Sequence, residues 1–304
     1  MTEVFTIESE DSGKRLDVYL TERLISHSRS QLKEKIEIVK LNGKKAKLGK
    51  HVKTGDIIEV VFREFAPNHI ELKPEEMNLS ILYEDENVLV LDKEQGVVVH
   101  PAAGNYSGTI VNGLLYYLGR AAGNFRTGIV HRLDKDTSGV LIVAKNSKTQ
   151  EYLASQFKAR TVGKEYVAIT MGVPEQDRGT IETYIARDTT DRKKFHCTYG
   201  SGKLAKTFYK ILSVYGNYSL IALYPKTGRT HQLRVHMKHL GTPILGDPVY
   251  GKKDTFFPDA SLMLHAYKLK IKIPGCDEPV TFRAPIPNRI KSILKNLHDI
   301  KVSL

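Results

Sequence analysis

The sequence predicts an α+β protein with a mixed, mainly antiparallel sheet, preceded by a smaller helix-plus-sheet module. Three observations carry this. From Leu79 onward short apolar runs rich in β-branched residues dominate: Val88–Leu91, Val97–Val99, Val140–Ala144, Tyr166–Thr170, Leu220–Tyr224 and Leu269–Ile273. Runs of this length and composition read as strands. Helical spacing interrupts them at Ile110–Leu118, Gln150–Phe157 and His231–Leu240, which makes the class α+β. Residues 63–78 hold two prolines and many charges and read as a linker, so the chain divides into 1–62, 63–78 and 79–304. There is no 20–50-residue repeat and no low-complexity segment.

The N-terminal module opens on alternating Val4, Thr6 and Ser9. Apolar residues at helical spacing follow between Gly13 and Leu24. Ser28 with Gln31 three residues on has the form of a capping box, which starts a second helix running toward Ile36. Asn42-Gly43 is a two-residue hairpin signal, and 55–62 reads as another strand. Lys33, Lys35, Lys40, Lys44, Lys45, Lys47, Lys50 and Lys53 crowd this stretch. A lysine run is usually a solvated face. On a small helix-plus-sheet module it is better read as an electrostatic footprint for nucleic acid, with Arg29, Lys33, Lys44 and Lys45 as candidate RNA-binding residues.

Composition narrows the function classes. Lys plus Arg exceed Asp plus Glu, 46 to 34, for a formal charge of +12. An excess of this size favours a polyanionic partner, RNA or DNA, over a neutral metabolite. Cys197 and Cys276 make no disulfide framework and fit a reducing compartment. No signal peptide opens the chain and no apolar run is long enough to cross a bilayer, so a soluble, cytoplasmic protein is expected. No Gly-x-x-x-x-Gly-Lys-Ser/Thr loop is present. His131-Arg132-Leu133-Asp134 superficially suggests a kinase catalytic loop, but the Gly-rich loop and Asp-Phe-Gly are missing. His231, His236 and His239 lack a cysteine or carboxylate arranged beside them, so structural or RNA-facing roles are expected and no metal.

The densest chemistry lies in Gly128-Ile-Val-His-Arg-Leu-Asp-Lys-Asp-Thr-Ser-Gly-Val-Leu-Ile-Val-Ala-Lys145. Apolar runs flank a polar core of His131, Arg132, Asp134, Lys135, Asp136, Thr137 and Ser138. A charged loop fixed at both ends by buried strands is either a solvated hairpin tip or a place where a scaffold displays its chemistry.

This segment, from His131 to Gly139, resembles the signature of the RluA family of pseudouridine synthases. Three further segments resemble the same family in the same order. They are Lys164-Glu-Tyr-Val-Ala168 with Gly172, then Gly228-Arg-Thr-His-Gln-Leu-Arg-Val-His236 continued by Leu240-Gly-Thr-Pro-Ile-Leu-Gly-Asp247, and Leu262-Met-Leu-His-Ala266. Residues 13–62 also resemble the α-L RNA-binding motif named after ribosomal small-subunit protein four. The pairing is most similar to the branch that modifies large-subunit ribosomal RNA, with transfer RNA as the alternative target.

The resemblance implies a pseudouridine synthase fold and a cofactor-free isomerisation. The N1–C1′ bond of a uridine breaks, the base turns, and it rejoins through C5. An ionised carboxylate must lie near C1′, C2′ or C6, and the resemblance gives that role to Asp134, leaving the three routes open. Asp136 sits where the family pattern tolerates other residues. Arg234 matches the guanidinium partner that offsets desolvation of the carboxylate in a bidentate fork. Tyr166 matches a tyrosine that stacks on the base and assists proton removal from C5. Arg132 matches an arginine that fills the space left by the flipped base. Leu264 matches an apolar residue beside the base, although a core role suits it equally. RNA is the implied partner, with no membrane association, and the chain is expected to act as a monomer. Two rival classes are a non-catalytic RNA-binding or ribosome-assembly factor, and a metal-independent ribonuclease using His131 or His231 as acid and base.

Overall fold

The computed structural model describes residues 2–24, 32, 36–62, 72–101, 104–119, 128–191 and 193–302. The expected Ser28–Gln31 capping box, Arg29 and Lys33 lie outside the described residues. The chain forms two compact units, Met1–Ile70 and Glu71–Leu304.

In the first unit a four-stranded antiparallel sheet has the order β1 (Thr2–Thr6), β4 (Ile57–Phe62), β2 (Ile36–Leu41), β3 (Lys44–Lys45). Helix α1 (Leu16–Arg23) buries Leu16, Tyr19 and Leu20 in a core with Ile7, Val39, Val52, Ile58 and Val60. These helix positions follow the i, i+3, i+4 spacing that turns one face inward. Asn42 and Gly43 both have positive φ, 52° and 74°. That is the two-residue hairpin turn whose twist matches the flanking strands. The Asn42 amide secures it by donating to Asp56 Oδ1 and accepting from Ile57 N, each at 2.8 Å. Lys44 and Lys45 are exposed on the edge strand β3.

The second unit holds one ten-stranded sheet. Its path runs β10 (Phe195–Thr198), β9 (Arg178–Arg187), β11 (Lys203–Tyr215), β12 (Tyr218–Pro225), β8 (Gly163–Met171), β13 (Leu264–Ile271), β7 (Ser138–Ala144), β6 (Val88–Lys93), β5 (Ile81–Glu84), with β14 (Val280–Arg283) added to β13. Among the described residues only β13 and β7 pair in parallel; every other pairing in this sheet is antiparallel. The α+β class with a mixed, mainly antiparallel sheet is therefore what the chain adopts. Strand β7 is buried along its whole length. Val140, Ile142 and Ala144 enter one core, and Leu141 and Val143 another. A strand buried on both faces reads as an unbroken apolar run, which is why the sequence marks it so clearly.

Helices α2 (Ile110–Tyr117), α3 (Ser147–Ala159), α4 (Gln232–His239) and α5 (Asn288–Val302) complete the unit. The first three fall on the expected helical patterns. Helix α5 is not among them, although Ile290, Ile293, Leu294 and Leu297 keep helical spacing and pack on the main core. Val97–Val99, expected as a strand, is not one. Gly96, at φ 86°, turns the chain, and the carbonyls of Val98 and Val99 then accept from the first amides of α2, Ile110 and Val111. Ile129 makes a single bridge to Val143 rather than a full strand. Residues 72–78, which the sequence assigns to the linker, run along α2: Asn112 Nδ2 donates to the Lys73 carbonyl (2.8 Å) and Glu75 N to the Asn112 carbonyl (3.1 Å).

Candidate active site

The chain leaves Val130, makes the loop 131–137 and enters β7. Each part of that loop is tied to a different neighbour. His131 Nε2 accepts the Ile142 amide proton at 3.0 Å, and its ring stacks on Phe157 with centroids 4.7 Å apart. The Asp134 carbonyl closes a turn with Thr137 N at 3.0 Å. The Lys135 carbonyl accepts from Gly96 N (2.9 Å) and Lys93 Nζ (3.1 Å), and the Asp136 carbonyl from Gln95 Nε2 (2.8 Å). Ser138 Oγ takes a bond from Arg289 Nη2 on α5 and shares another with His265 Nδ1, both at 2.8 Å. Gly139, at φ 114°, lies where any Cβ would collide with the Ala266 carbonyl, so β7 and β13 can pair in parallel only with glycine there.

Lys93 is almost wholly buried, and its ammonium donates to the carbonyls of Glu94, Val97 and Lys135. All three of its protons are thereby used. Burial pulls its pKa down to about 8, opposed by the charges of Asp136 and Asp134. The segment 93–97 is thus a brace beneath the loop.

The second group of residues lies between β12 and Tyr250. Buried Gln232 joins the turn after β12 to β11. Its Oε1 accepts from Thr227 Oγ1 (2.7 Å) and Arg229 N (3.0 Å), while its Nε2 donates to Thr207 Oγ1 (2.9 Å). On α4 the Arg234 side chain is 4 % exposed. Its Nε and Nη2 donate to the two oxygens of Asp247 at 2.7 and 2.6 Å. Asp247 Oδ1 also accepts the amides of Val249 (2.8 Å) and Tyr250 (2.9 Å). This corrects one expectation: the bidentate fork of Arg234 holds Asp247 rather than Asp134. Asp134 reaches Arg234 through space, as a negative charge that adds to Asp247 in keeping the guanidinium protonated against its burial.

These segments enclose a cavity of about 430 Å³. Arg132, Asp134, Tyr166, Arg234 and Leu264 all line it, so the structure brings together every site residue the sequence nominated in this unit. Asp134 is half-buried, and among the described residues no hydrogen bond reaches its carboxylate. Asp136, two residues on, is not part of the lining. Arg132 is exposed. Tyr166 pairs with Leu223 across β12, and Leu264 pairs with Ala168, the next residue on the same face of β8. Leu264 is both core and lining, so its two alternatives coincide.

Burial raises the Tyr166 phenol well above its usual range, and the Asp134 charge raises it further. It stays a neutral phenol near pH 7. Burial pushes His131 down to about 3, with nearby Lys164 acting the same way. His131 is therefore neutral, and its Nε2 lone pair is already engaged by Ile142. His231 is also lowered by burial, and its Nδ1 meets the Tyr250 hydroxyl at 2.9 Å. Tyr250 accepts the Phe195 amide (2.9 Å), so its own proton points to His231. The lone pairs of His131 Nε2 and His231 Nδ1 are thus engaged within the protein, and neither is a free base for cleavage of RNA.

Sequence reasoning missed Asp247, Lys93 and Arg289. Asp247 ended a quoted motif, so a signal existed; the other two carry none that a single sequence reveals.

Comparison with known proteins agrees with this geometry. Residues 87–239 match the family model described as RNA pseudouridylate synthase. The ribosomal large subunit pseudouridine synthase D of Borreliella burgdorferi is 46 % identical over 303 residues, covering 97 % of this chain and 92 % of that one. An uncharacterized RNA pseudouridine synthase of Bacillus subtilis is 39 % identical, covering 96 % and 97 %. Among solved structures, human RNA pseudouridylate synthase domain containing 4 superimposes with a TM-score of 0.60 at 26 % identity, over 72 % of this chain and 93 % of its own.

Proposed function

The chain belongs to the RNA pseudouridylate synthase family and converts uridine to pseudouridine in RNA; from that premise we propose that its target is large-subunit ribosomal RNA and that Asp134 is the essential carboxylate. The observation that carries the residue assignment is convergence. Five side chains from four separate segments line one cavity, and among the described residues no hydrogen bond reaches its one carboxylate.

A uridine flipped out of the RNA enters this cavity at a cost of about a few kcal/mol in lost stacking. Tyr166 and Leu264 offer it an aromatic and an aliphatic surface. Arg132, exposed beside the cavity, is positioned to fill the gap left behind. Asp134 meets the ribose or the C6 edge and supports cleavage of N1–C1′. Once C5–C1′ has formed, the C5 proton leaves and N1 gains one, so no electrons or groups are lost. Tyr166, as a neutral phenol, acts by stacking and hydrogen bonding and supplies no phenolate base. The first unit, with exposed Lys44 and Lys45, adds RNA affinity.

The test is release of tritium from RNA labelled at C5 of uridine, on large-subunit ribosomal and transfer RNA transcripts. We expect release from the ribosomal transcript by the full chain and none by Asp134→Asn, although that variant still binds RNA. Normal release by Asp134→Asn would sink the catalytic assignment. Release from transfer RNA alone would move the target. A chain lacking residues 1–62 should retain release at high enzyme concentration but bind more weakly, with a shallower salt dependence; unchanged affinity would refute the role of the first unit.

A further inference from the structure

We propose that Arg160 binds a backbone phosphate beside the target uridine, and that the protein keeps an arginine in an unfavourable backbone conformation to do so. The proposal rests on the RNA-isomerising reading above and adds to it a residue that the catalytic assignments do not use.

Helix α3 ends at Ala159, and Arg160 follows as its cap with φ 60° and ψ 29°. This is left-handed backbone, where a Cβ crowds the following carbonyl and glycine is the usual occupant. Among the described residues, the other non-glycine positions with positive φ are Asn42 and His231. Both return something to the fold through their side chains. Asn42 bonds Asp56 and Ile57 within its hairpin turn, and His231 bonds Tyr250. Arg160 does not. Its side chain is exposed, and among the described residues no carboxylate or ring partners it. Lys158 already supplies the cation that the negative end of the helix favours.

The surroundings indicate what the guanidinium is for. Seven lysines and arginines line the cavity among the described residues, and Asp134 is its one carboxylate. Arg234 is neutralised by Asp247, which leaves six cations facing one anion. Uridine and ribose are uncharged, so this excess answers the phosphodiesters on either side of the flipped nucleotide. Asp134 repels them from its own part of the cavity. They must therefore sit along the cationic rim. Lys164 Nζ donates to the Thr227 carbonyl at 3.3 Å, which joins the α3–β8 corner, with Lys158, Arg160 and Lys164, to the turn holding Lys226 and Arg229. Within that rim Arg160 has a planar fork matched to two phosphate oxygens.

Three variants separate function from strain. Arg160→Gly removes both the side chain and the strain, Arg160→Ala removes the side chain alone, and Arg160→Lys keeps the charge. With a large-subunit ribosomal RNA transcript as probe, Gly and Ala should each weaken binding by about three- to tenfold and reduce the slope of log K against log salt by about one. Lys should keep the slope. The melting temperature of Arg160→Gly should rise by about 1–3 °C, while that of Arg160→Ala stays near wild type. An Arg160→Gly chain with wild-type affinity and slope overturns the proposal whatever its melting temperature. Pseudouridine is scored on the same transcripts. Binding that weakens in Arg160→Gly, while even the wild-type chain makes no pseudouridine, would defeat the isomerase reading and leave the phosphate contact standing.

Discussion

The loop 131–137 and the segment 225–250 each hold an aspartate at the same cavity, Asp134 in its lining and Asp247 behind the lining residue Arg234, and they treat it oppositely. Asp134 is half-buried, and among the described residues nothing hydrogen-bonds its carboxylate. Its position comes from hydrogen bonds to its neighbours in the loop, from Lys93, Gln95 and Gly96 to the Lys135 and Asp136 carbonyls and from Ile142 N to the His131 ring. The Asp247 side chain is wholly buried and accepts four hydrogen bonds, two from Arg234 and two from backbone amides. A carboxylate whose lone pairs are filled by the fold serves the fold. One that is fixed by its backbone and left open keeps those lone pairs for a substrate. The same division explains why Arg234 lines the cavity without being free to grip Asp134: its planar fork is already committed, so it contributes field rather than a bond.

Exchanging each carboxylate for its amide should separate these roles most sharply. Asp134→Asn is expected to lose activity by at least about a thousandfold, as when a reacting group is removed, with its melting temperature unchanged. Asp247→Asn should behave the other way round. It leaves a buried guanidinium without its counter-charge, a defect that costs about 3–5 kcal/mol, so thermal unfolding should show a large loss of stability. Its residual activity should be reduced but measurable. Equal melting temperatures for the two variants would erase the distinction.

Why the sequence nominated one aspartate and passed over the other follows from distance along the chain. Arg132 and Asp134 share one motif, and Tyr166, Arg234 and Leu264 lie in motifs of their own, so a resemblance could nominate each separately. Most of the bonds that hold them run to segments that look ordinary alone. Arg234 to Asp247 spans 13 residues, Lys93 to Lys135 spans 42, and Arg289 to Ser138 spans 151. Nothing in a single sequence says which lysine will be buried. The fold divides similarly. Strand β7, apolar from Val140 to Ala144, was legible. Strands β9 and β11 alternate buried with exposed or half-buried residues and carry many polar side chains, and they escaped notice.

Lys93 tests whether the brace beneath the loop positions Asp134 or merely fills space. Lys93→Met keeps the volume and removes the three donated bonds. Several carbonyls then lose a partner while a desolvated charge disappears, for a net loss of about 1–3 kcal/mol. If the brace sets the carboxylate's place, kcat should fall about tenfold with KM little changed, because binding rests on other residues. A Lys93→Met chain with wild-type kcat would mean that the loop holds Asp134 without help from below.

The smallest effect per residue is the acid response, and it applies to both sides of the cavity. His131 in the loop is held down to about 3, and buried His236 on α4 and His265 on β13 to about 4, in each case chiefly by burial. In the unfolded chain such rings take up a proton near pH 6.5. Between pH 6.5 and 4 the unfolded state therefore binds more protons than the folded one, and stability falls as pH falls. Each enclosed ring should contribute about 1 kcal/mol of loss between pH 6.5 and 5.5, above the range where most carboxylates titrate. Melting temperatures of the wild-type chain and of His131→Phe over that interval give the check. The phenylalanine keeps the stacking on Phe157 but leaves the Ile142 amide without its acceptor, so it should be less stable at pH 7.5 and show a shallower acid slope. An unchanged slope would mean that His131 already titrates in the folded loop, and that this side of the cavity is more open to water than its hydrogen bond to Ile142 implies.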